Sequence, residues 1–176
     1  ARQSILAAVH HLPAPEPPPD RPALLKPAGA FVTIRRRGEL RGCIGHLQAV
    51  NPLGETVILV AQSAALQDPR FDAMTPDELH DSTIELSVLS PLRKISSPEE
   101  VVVGEHGVVV SGRGRRGVLL PQVATEQGRD RETFLDHVCR KAGLPTLAWQ
   151  ENDITLEVFR ADVFGDDRPI GVSDAT

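Results

Sequence analysis

Aromatic residues are nearly absent from this chain. Its 176 residues hold five Phe, one Trp and no Tyr. The core must therefore be aliphatic, and surfaces on which nucleic-acid bases stack are scarce. Cysteine is as rare. Cys43 and Cys139 are too few for a disulfide framework or a four-thiolate zinc site. No apolar run approaches the roughly 20 residues of a membrane span. No segment has the charged, apolar and cleavage regions of a signal peptide. Positive charge is not in excess: Lys+Arg 19 against Asp+Glu 24 leaves a net charge of −5. That balance argues against a general nucleic-acid binder. The expectation is a soluble, cytoplasmic protein whose length suits one compact domain or two tightly merged halves.

Proline is in excess, but locally. Pro13, Pro15, Pro17, Pro18, Pro19, Pro22 and Pro27 crowd one stretch, which must be extended because proline lacks an N–H and fixes φ. Before it, Ile5, Leu6, Val9 and Leu12 recur at helical spacing and predict a short helix over 2–12. Residues 1–27 thus read as a helix remnant and linker, 28–164 as the body and 165–176 as a C-terminal tail.

In the body, 30–35 and 40–47 flank Gly38 as a β-hairpin. Asn51-Pro52 opens a buried helix to residue 67, with Asn51 as the cap, and Pro69 ends it. Thr75–Glu78 and Ser97–Glu100 are capping boxes. Residues 83–89 alternate as a half-buried strand. The pattern then returns: a hairpin over 107–120, a helix over 131–142 capped by Asp130, and a strand over 154–159. Hairpin, helix and strand occur twice, each hairpin turning on Arg-Gly. The expectation is an α+β fold of antiparallel sheets with flanking helices, duplicated internally in halves of about 28–95 and 101–164.

Cys43 sits between Gly42 and Gly45, beside Arg41. Glycines permit close approach and leave room for a ligand, and a nearby cation favours the thiolate, the nucleophilic form. Cys43 is equally readable as a small core residue in a tight hairpin. Asp68 and Arg70 suit a polar ligand, or an ion pair tying down the helix exit. His106, in a glycine turn, suits acid–base work or a plain surface turn. Glu85 and Glu157 hold matching places on matching strands, as an acid–base pair or as outward solvated groups. Arg35, Arg36, Arg37 and Arg41, then Arg113, Arg115 and Arg116, suit a phosphate or RNA backbone, or edges that discourage sheet pairing. His137 and Cys139 point apart on their helix, and no histidine spacing suits a metal, so no metal site is expected.

The segments GAFVTI, LRGCIG, DPRF, IELSVLSPL, EHGVVV, LLPQVATE and FLDHVCRKAGLP, followed by Ala148-Trp149, stand in this order over about 28–164. Together they resemble the AMMECR-type family, known in prokaryotes as AmmeMemoRadiSam system protein A, whose hallmark is the hexapeptide LRGCIG. Arg129 departs from the aromatic common in that segment. The resemblance implies an α+β fold of two unequal lobes and a site near Arg41, Gly42, Cys43, Ile44 and Gly45. It adds Gln122, within LLPQVATE, as a candidate ligand contact. It also implies partnership with a Memo-type protein and a radical SAM protein, and names no cofactor. Three functions follow as expectations. One is a ligand- or partner-binding component. Another is an enzyme with Cys43 as nucleophile, His106 or Glu85 as base, and Arg41, Asp68 and Arg70 arranged for an anionic substrate. The last is RNA or nucleotide binding through the arginine turns.

Overall fold

The computed structural model describes residues 1–126, 128 and 130–171. The departure read at Arg129 and the last five residues of the expected tail lie outside the described residues. In chain order the elements are α1 (Arg2–Val9), α2 (Pro22–Leu25), β1 (Ala30–Arg36), β2 (Glu39–His46), α3 (Leu53–Leu66), β3 (Ser82–Leu89), β4 (Arg93–Lys94), β5 (Gly107–Gly112), β6 (Arg115–Leu119), α4 (Pro121–Glu126), α5 (Arg131–Lys141), β7 (Thr155–Phe159) and β8 (Ala161–Asp166). Short 3-10 turns occupy Pro76–Asp81, Pro98–Glu100 and Ala148–Gln150. The α+β class is as the sequence patterns predict, with two antiparallel four-stranded sheets.

The chain forms two compact units. The first takes in Ala1–Leu89 and, of the described residues, 162–171; the second is Ser90–Ala161. In the first, the sheet order is β2-β1-β3-β8. Alternation along β1 sends Val32 and Ile34 into a core with Val60, Ala61 and Ala64 of α3. Ile5 and Val9 of α1 join that core, so the N-terminal helix is part of the fold. Each such aliphatic side chain taken from water contributes about 1.5–3 kcal/mol. Residues 165–171, read as the start of a tail, are also bound in. Ile170 is fully buried, its N–H donates to the Ser82 carbonyl, and Arg2 pairs with Asp166.

The start of α3 differs from the sequence reading. Its cap position is Pro52, and Asn51 contributes its carbonyl, not its side chain, to the Thr56 hydroxyl. The reason is a bridge between Pro27 and Pro52, which holds Pro52 extended at ψ 141°. The Pro-rich stretch also packs here: Pro17 fills the space a side chain at Gly54 would need. Within that stretch Pro22–Leu25 makes one helical turn, where only extended chain is predicted.

The second unit has sheet order β4-β7-β5-β6. Val108, Val110, Phe134, Leu135, Val138, Cys139 and Val158 form its core. Asp130 caps α5 by accepting from the Thr133 N–H.

The two units repeat one topology. In each, the first strand of a hairpin is central, flanked by its hairpin partner and by the strand that follows the helix. Both hairpins turn through two residues of positive φ, Arg37-Gly38 and Arg113-Gly114. This is the type I′ turn that suits the twist of a hairpin. A non-glycine residue there costs roughly 1–2 kcal/mol. Each arginine is held, since Arg37 Nε donates to Asp81 and Arg113 Nε to Asp153, both at 2.7 Å. An internal duplication would produce this repetition. The fourth strands, however, are exchanged. β4 follows β3 in the chain but joins the second sheet, and β8 follows β7 but joins the first. The unit boundary therefore falls at Leu89, and the first unit is completed by the end of the chain.

Candidate functional site

The site begins with a register shift. Arg36 faces Glu39 and Arg35 faces Leu40, but Ile34 faces Gly42. Arg41 is the extra residue of a β-bulge, a device that re-aims a side chain. Beyond it Thr33 faces Cys43 on one side and Glu85 on the other. Cys43, Thr33 and Glu85 thus form one row across β2, β1 and β3. The Thr33 hydroxyl donates to Cys43 Sγ at 3.3 Å. Two strand spacings, roughly 10 Å, separate the Cys43 and Glu85 backbones, with Thr33 between them.

β2 is an edge strand, and its outward polar groups need partners. The loop after α3 supplies them at Cys43. The Cys43 N–H donates to Asp68 Oδ2 at 2.8 Å, and Arg70 Nη2 donates to the Cys43 carbonyl at 3.3 Å. Asp68 is buried and accepts from Arg70 Nε at 2.9 Å and Nη2 at 2.7 Å, and from the Arg70 N–H at 3.1 Å. These bonds outweigh burial and hold its carboxyl well below the ordinary range. Of the readings left open for Asp68 and Arg70, the ion pair that ties down the helix exit is formed, and the pair also clasps Cys43.

Arg41 reaches the 3-10 turn. Its Nε and Nη2 donate to the two oxygens of Glu78 at 2.8 and 2.9 Å, and Nη2 also to the Asp72 carbonyl at 3.0 Å. Arg41 holds the Glu78 carboxyl down to about 2. Arg41 Nη1 is buried without a hydrogen-bond partner. The Arg41 and Arg70 guanidiniums lie 5.8 and 5.5 Å from the centre of the Phe71 ring, within cation–π range.

The space that a side chain would take at either glycine is filled by the fold itself. A Cβ on Gly42 would lie 2.1 Å from the Ala64 carbonyl oxygen of α3. A Cβ on Gly45 would meet the Phe31 ring at 2.2 Å. Gly42 serves helix packing, and Gly45 seats Phe31.

His106 and Gln122 belong to the second unit. His106 is buried, and its Nδ1 accepts from the Val102 N–H at 3.1 Å. In a neutral ring the proton then sits on Nε2, and the basic nitrogen is occupied. Gln122 lies half-buried in α4. Cys139 is buried in the second core, and burial pushes its thiol up, as befits a packing residue.

The arginines of the turns have acidic partners. Arg36 and Arg37 pair with Asp81, Arg41 with Glu78, Arg113 with Glu151 and Asp153, and Arg116 with Glu157. Among the described residues no three His, Cys, Asp or Glu side chains group as a metal site. No helix among them is long and apolar enough to cross a membrane.

Thr33, Phe71 and Glu78 are the contributors that the sequence reading missed. The second unit supplies the comparison. Gly117 lies opposite Val110, as Gly42 lies opposite Ile34, and a Cβ there would strike the α5 backbone. Glu157 lies opposite Val109, as Glu85 lies opposite Thr33. The glycine and glutamate positions therefore match, but Val109 and Val118 stand where the first unit has Thr33 and Cys43.

Fold and site together define a two-unit α+β protein with one polar clasp on a repeated scaffold. The AMMECR1 family model matches residues 1–164, and the chain belongs to that family. The Methanopyrus kandleri protein MK0488 is 42% identical over 179 residues, covering 94% of this chain and 86% of that one. The Thermococcus kodakarensis protein TK0174 is 39% identical over 182 residues, covering 97% and 89%. The crystal structure of the uncharacterized protein PH0010 from Pyrococcus horikoshii aligns with a TM-score of 0.89 at 36% identity, covering 97% of this chain and 89% of that chain.

Proposed function

We propose that this AMMECR1-family chain is a binding component, with the RGCIG strand and the Asp68–Phe71 loop as its recognition surface. One observation carries this reading. The scaffold occurs twice, and at the Thr33–Cys43 position it is satisfied by Val109 and Val118. Folding of this scaffold does not demand a hydroxyl and a thiol at that position, so their presence in one copy supports a role beyond folding. The partners that the family resemblance implies are a Memo-type protein and a radical SAM protein, or a small molecule they share. The test is a pull-down of the full chain with the Memo-type protein, followed by mass spectrometry of any co-purified small molecule. Binding that weakens in Cys43→Ser and Asp68→Asn supports the reading. Undiminished binding by both variants overturns the placement of the surface.

A second reading, catalysis by the Cys43 thiol, is favoured by the Thr33 hydroxyl, which donates to the sulfur and would stabilise a thiolate. It has a weakness: the hydrogen-bond partner of Sγ is a hydroxyl, not an imidazole or carboxylate able to take its proton. Thiol labelling at pH 6 to 7 separates the two. Rapid reaction of Cys43 favours catalysis, and slow labelling with an unperturbed titration near ~8.5 leaves binding alone.

A further inference from the structure

The second unit holds a cavity of about 490 Å³ where its sheet is incomplete. β4 pairs Arg93 with Val158 and Lys94 with Glu157, and stops there. The Ile95 N–H still reaches the Leu156 carbonyl, at 3.1 Å. The capping box then draws the chain away, because the Ser96 and Ser97 N–H groups donate to Glu100. The Thr155 end of β7 is left uncovered, and the 3-10 turn Ala148–Gln150 supplies another wall. Trp149 lines the cavity, and its indole N–H is spent on Asp136 Oδ1 at 2.8 Å, so the ring offers it apolar surface alone. In the same lining are the hydroxyls of Ser96 and Thr155 and the amides of Gln150 and Asn152. Among the described residues none of these four side chains has a hydrogen-bond partner. Glu151 is committed to Arg113, which leaves the Lys94 ammonium as the one uncommitted charge of the described lining.

We infer that this cavity is a binding site for a neutral sugar, a pyranose ring or a short chain of them. Hydroxyls and amides both donate and accept, which matches a ring of sugar hydroxyls that do the same. The C–H face of a pyranose is apolar and covers an indole. A lone ammonium, with no guanidinium fork beside it, gives little purchase on a phosphate. It serves as a further donor to a hydroxyl. An extended peptide laid along the gap, as a continuation of β4, fits less well. Backbone groups of alternate residues face one edge of a strand, and after Leu156 the next is Ile154. Its N–H is already spent on the Glu151 carbonyl at 3.1 Å. The site lies within the second unit, so it stands or falls apart from the reading of the RGCIG strand.

Trp149 is the one tryptophan of the chain, so its fluorescence reports on this cavity in the full protein. The experiment titrates it with glucose, galactose, mannose and N-acetylglucosamine, and with maltose, lactose and chitobiose. A saturable change with at least one of them at millimolar concentration, absent with uracil, inorganic phosphate and trialanine, supports the site. Gln150→Ala and Asn152→Ala remove exposed side chains. Each should weaken that sugar about two- to tenfold, the loss of one hydrogen bond. Gln48→Ala, which removes an exposed amide from the first unit, should leave the affinity unchanged. No saturation by any of the sugars, an equal response to uracil, phosphate or trialanine, or undiminished affinity in both Gln150→Ala and Asn152→Ala overturns the inference.

Discussion

The backbone N–H of Cys43 donates to the Asp68 carboxylate at 2.8 Å, across 25 positions of chain. The same carboxylate holds Arg70, which returns a hydrogen bond to the Cys43 carbonyl. A side-chain pair thus does for this edge residue what a neighbouring strand would do. Asp68→Ala strands both the amide and the guanidinium, and should cost about 1–3 kcal/mol of stability. Urea denaturation measures it. Hydrogen exchange at the Cys43 amide should quicken in the variant.

Acid should loosen the first unit. Asp68 and Glu78 both have folded values below their ordinary ones, chiefly through Arg70 and Arg41. A carboxyl depressed in the fold stabilises it above the unfolded value and loses that contribution as pH falls. For Glu78 the window runs from the ordinary 4.5 down to about 2. Urea midpoints measured across that range should fall, and Glu78→Gln should flatten the decline.

Glycine positions should divide sharply. Gly42→Ala and Gly117→Ala drive a methyl into helix backbone, at 2.1 and 2.7 Å. Such overpacking should cost about 3 kcal/mol or more, because backbone cannot swing aside. Gly38→Ala meets open space and pays only for its φ of +85°, roughly 1–2 kcal/mol. Thermal melts of the three variants give the comparison.

The two thiols should titrate separately. Cys139 is fully buried, whereas Cys43 is half-buried at the strand edge. An aromatic disulfide reagent should count one thiol in the native protein and two in denaturant. Cys43→Ser should leave none in the native count. Thr33→Val, which mimics the second unit, should slow the reaction of Cys43 by removing the donor to its sulfur.

Ile170 lies 81 residues beyond the end of β3 in the chain, yet it is fully buried in the first core. Ile170→Ala should cost about 2–5 kcal/mol. Deleting the chain from residue 161 onward removes β8 and this anchor together. The shortened protein should lose amide protection along β3.

Local chemistry was legible in the sequence. The Arg-Gly turns announce both hairpins, the capping boxes at Thr75 and Ser97 form as written, and Asp130 caps its helix. What stayed hidden is non-local. β4 is two residues long and has no periodicity to detect. β8 reads ADVFGD, too polar and glycine-broken to announce a strand, and only an available sheet edge makes it one. Counting back from the Arg37-Gly38 turn without a bulge pairs Cys43 with Val32. The extra residue at Arg41 moves the partner to Thr33 and turns the thiol's row to the other face. Glu78 and Phe71 are invisible as site residues because Arg41, which meets both, lies 37 and 30 positions away.

The exchanged fourth strands impose an order on synthesis. A ribosome completes every strand of the second sheet before it reaches β8, although it began the first sheet earlier. The half that carries Cys43 leaves the exit tunnel with an open flank along β3 and waits for the rest of the chain. The clasped thiol lies on β2, at the other edge of that sheet, and Thr33, Asp68 and Arg70, which hold it, all precede β3; a stop in translation before β8 therefore leaves β3, and not the recognition surface, as the uncovered edge.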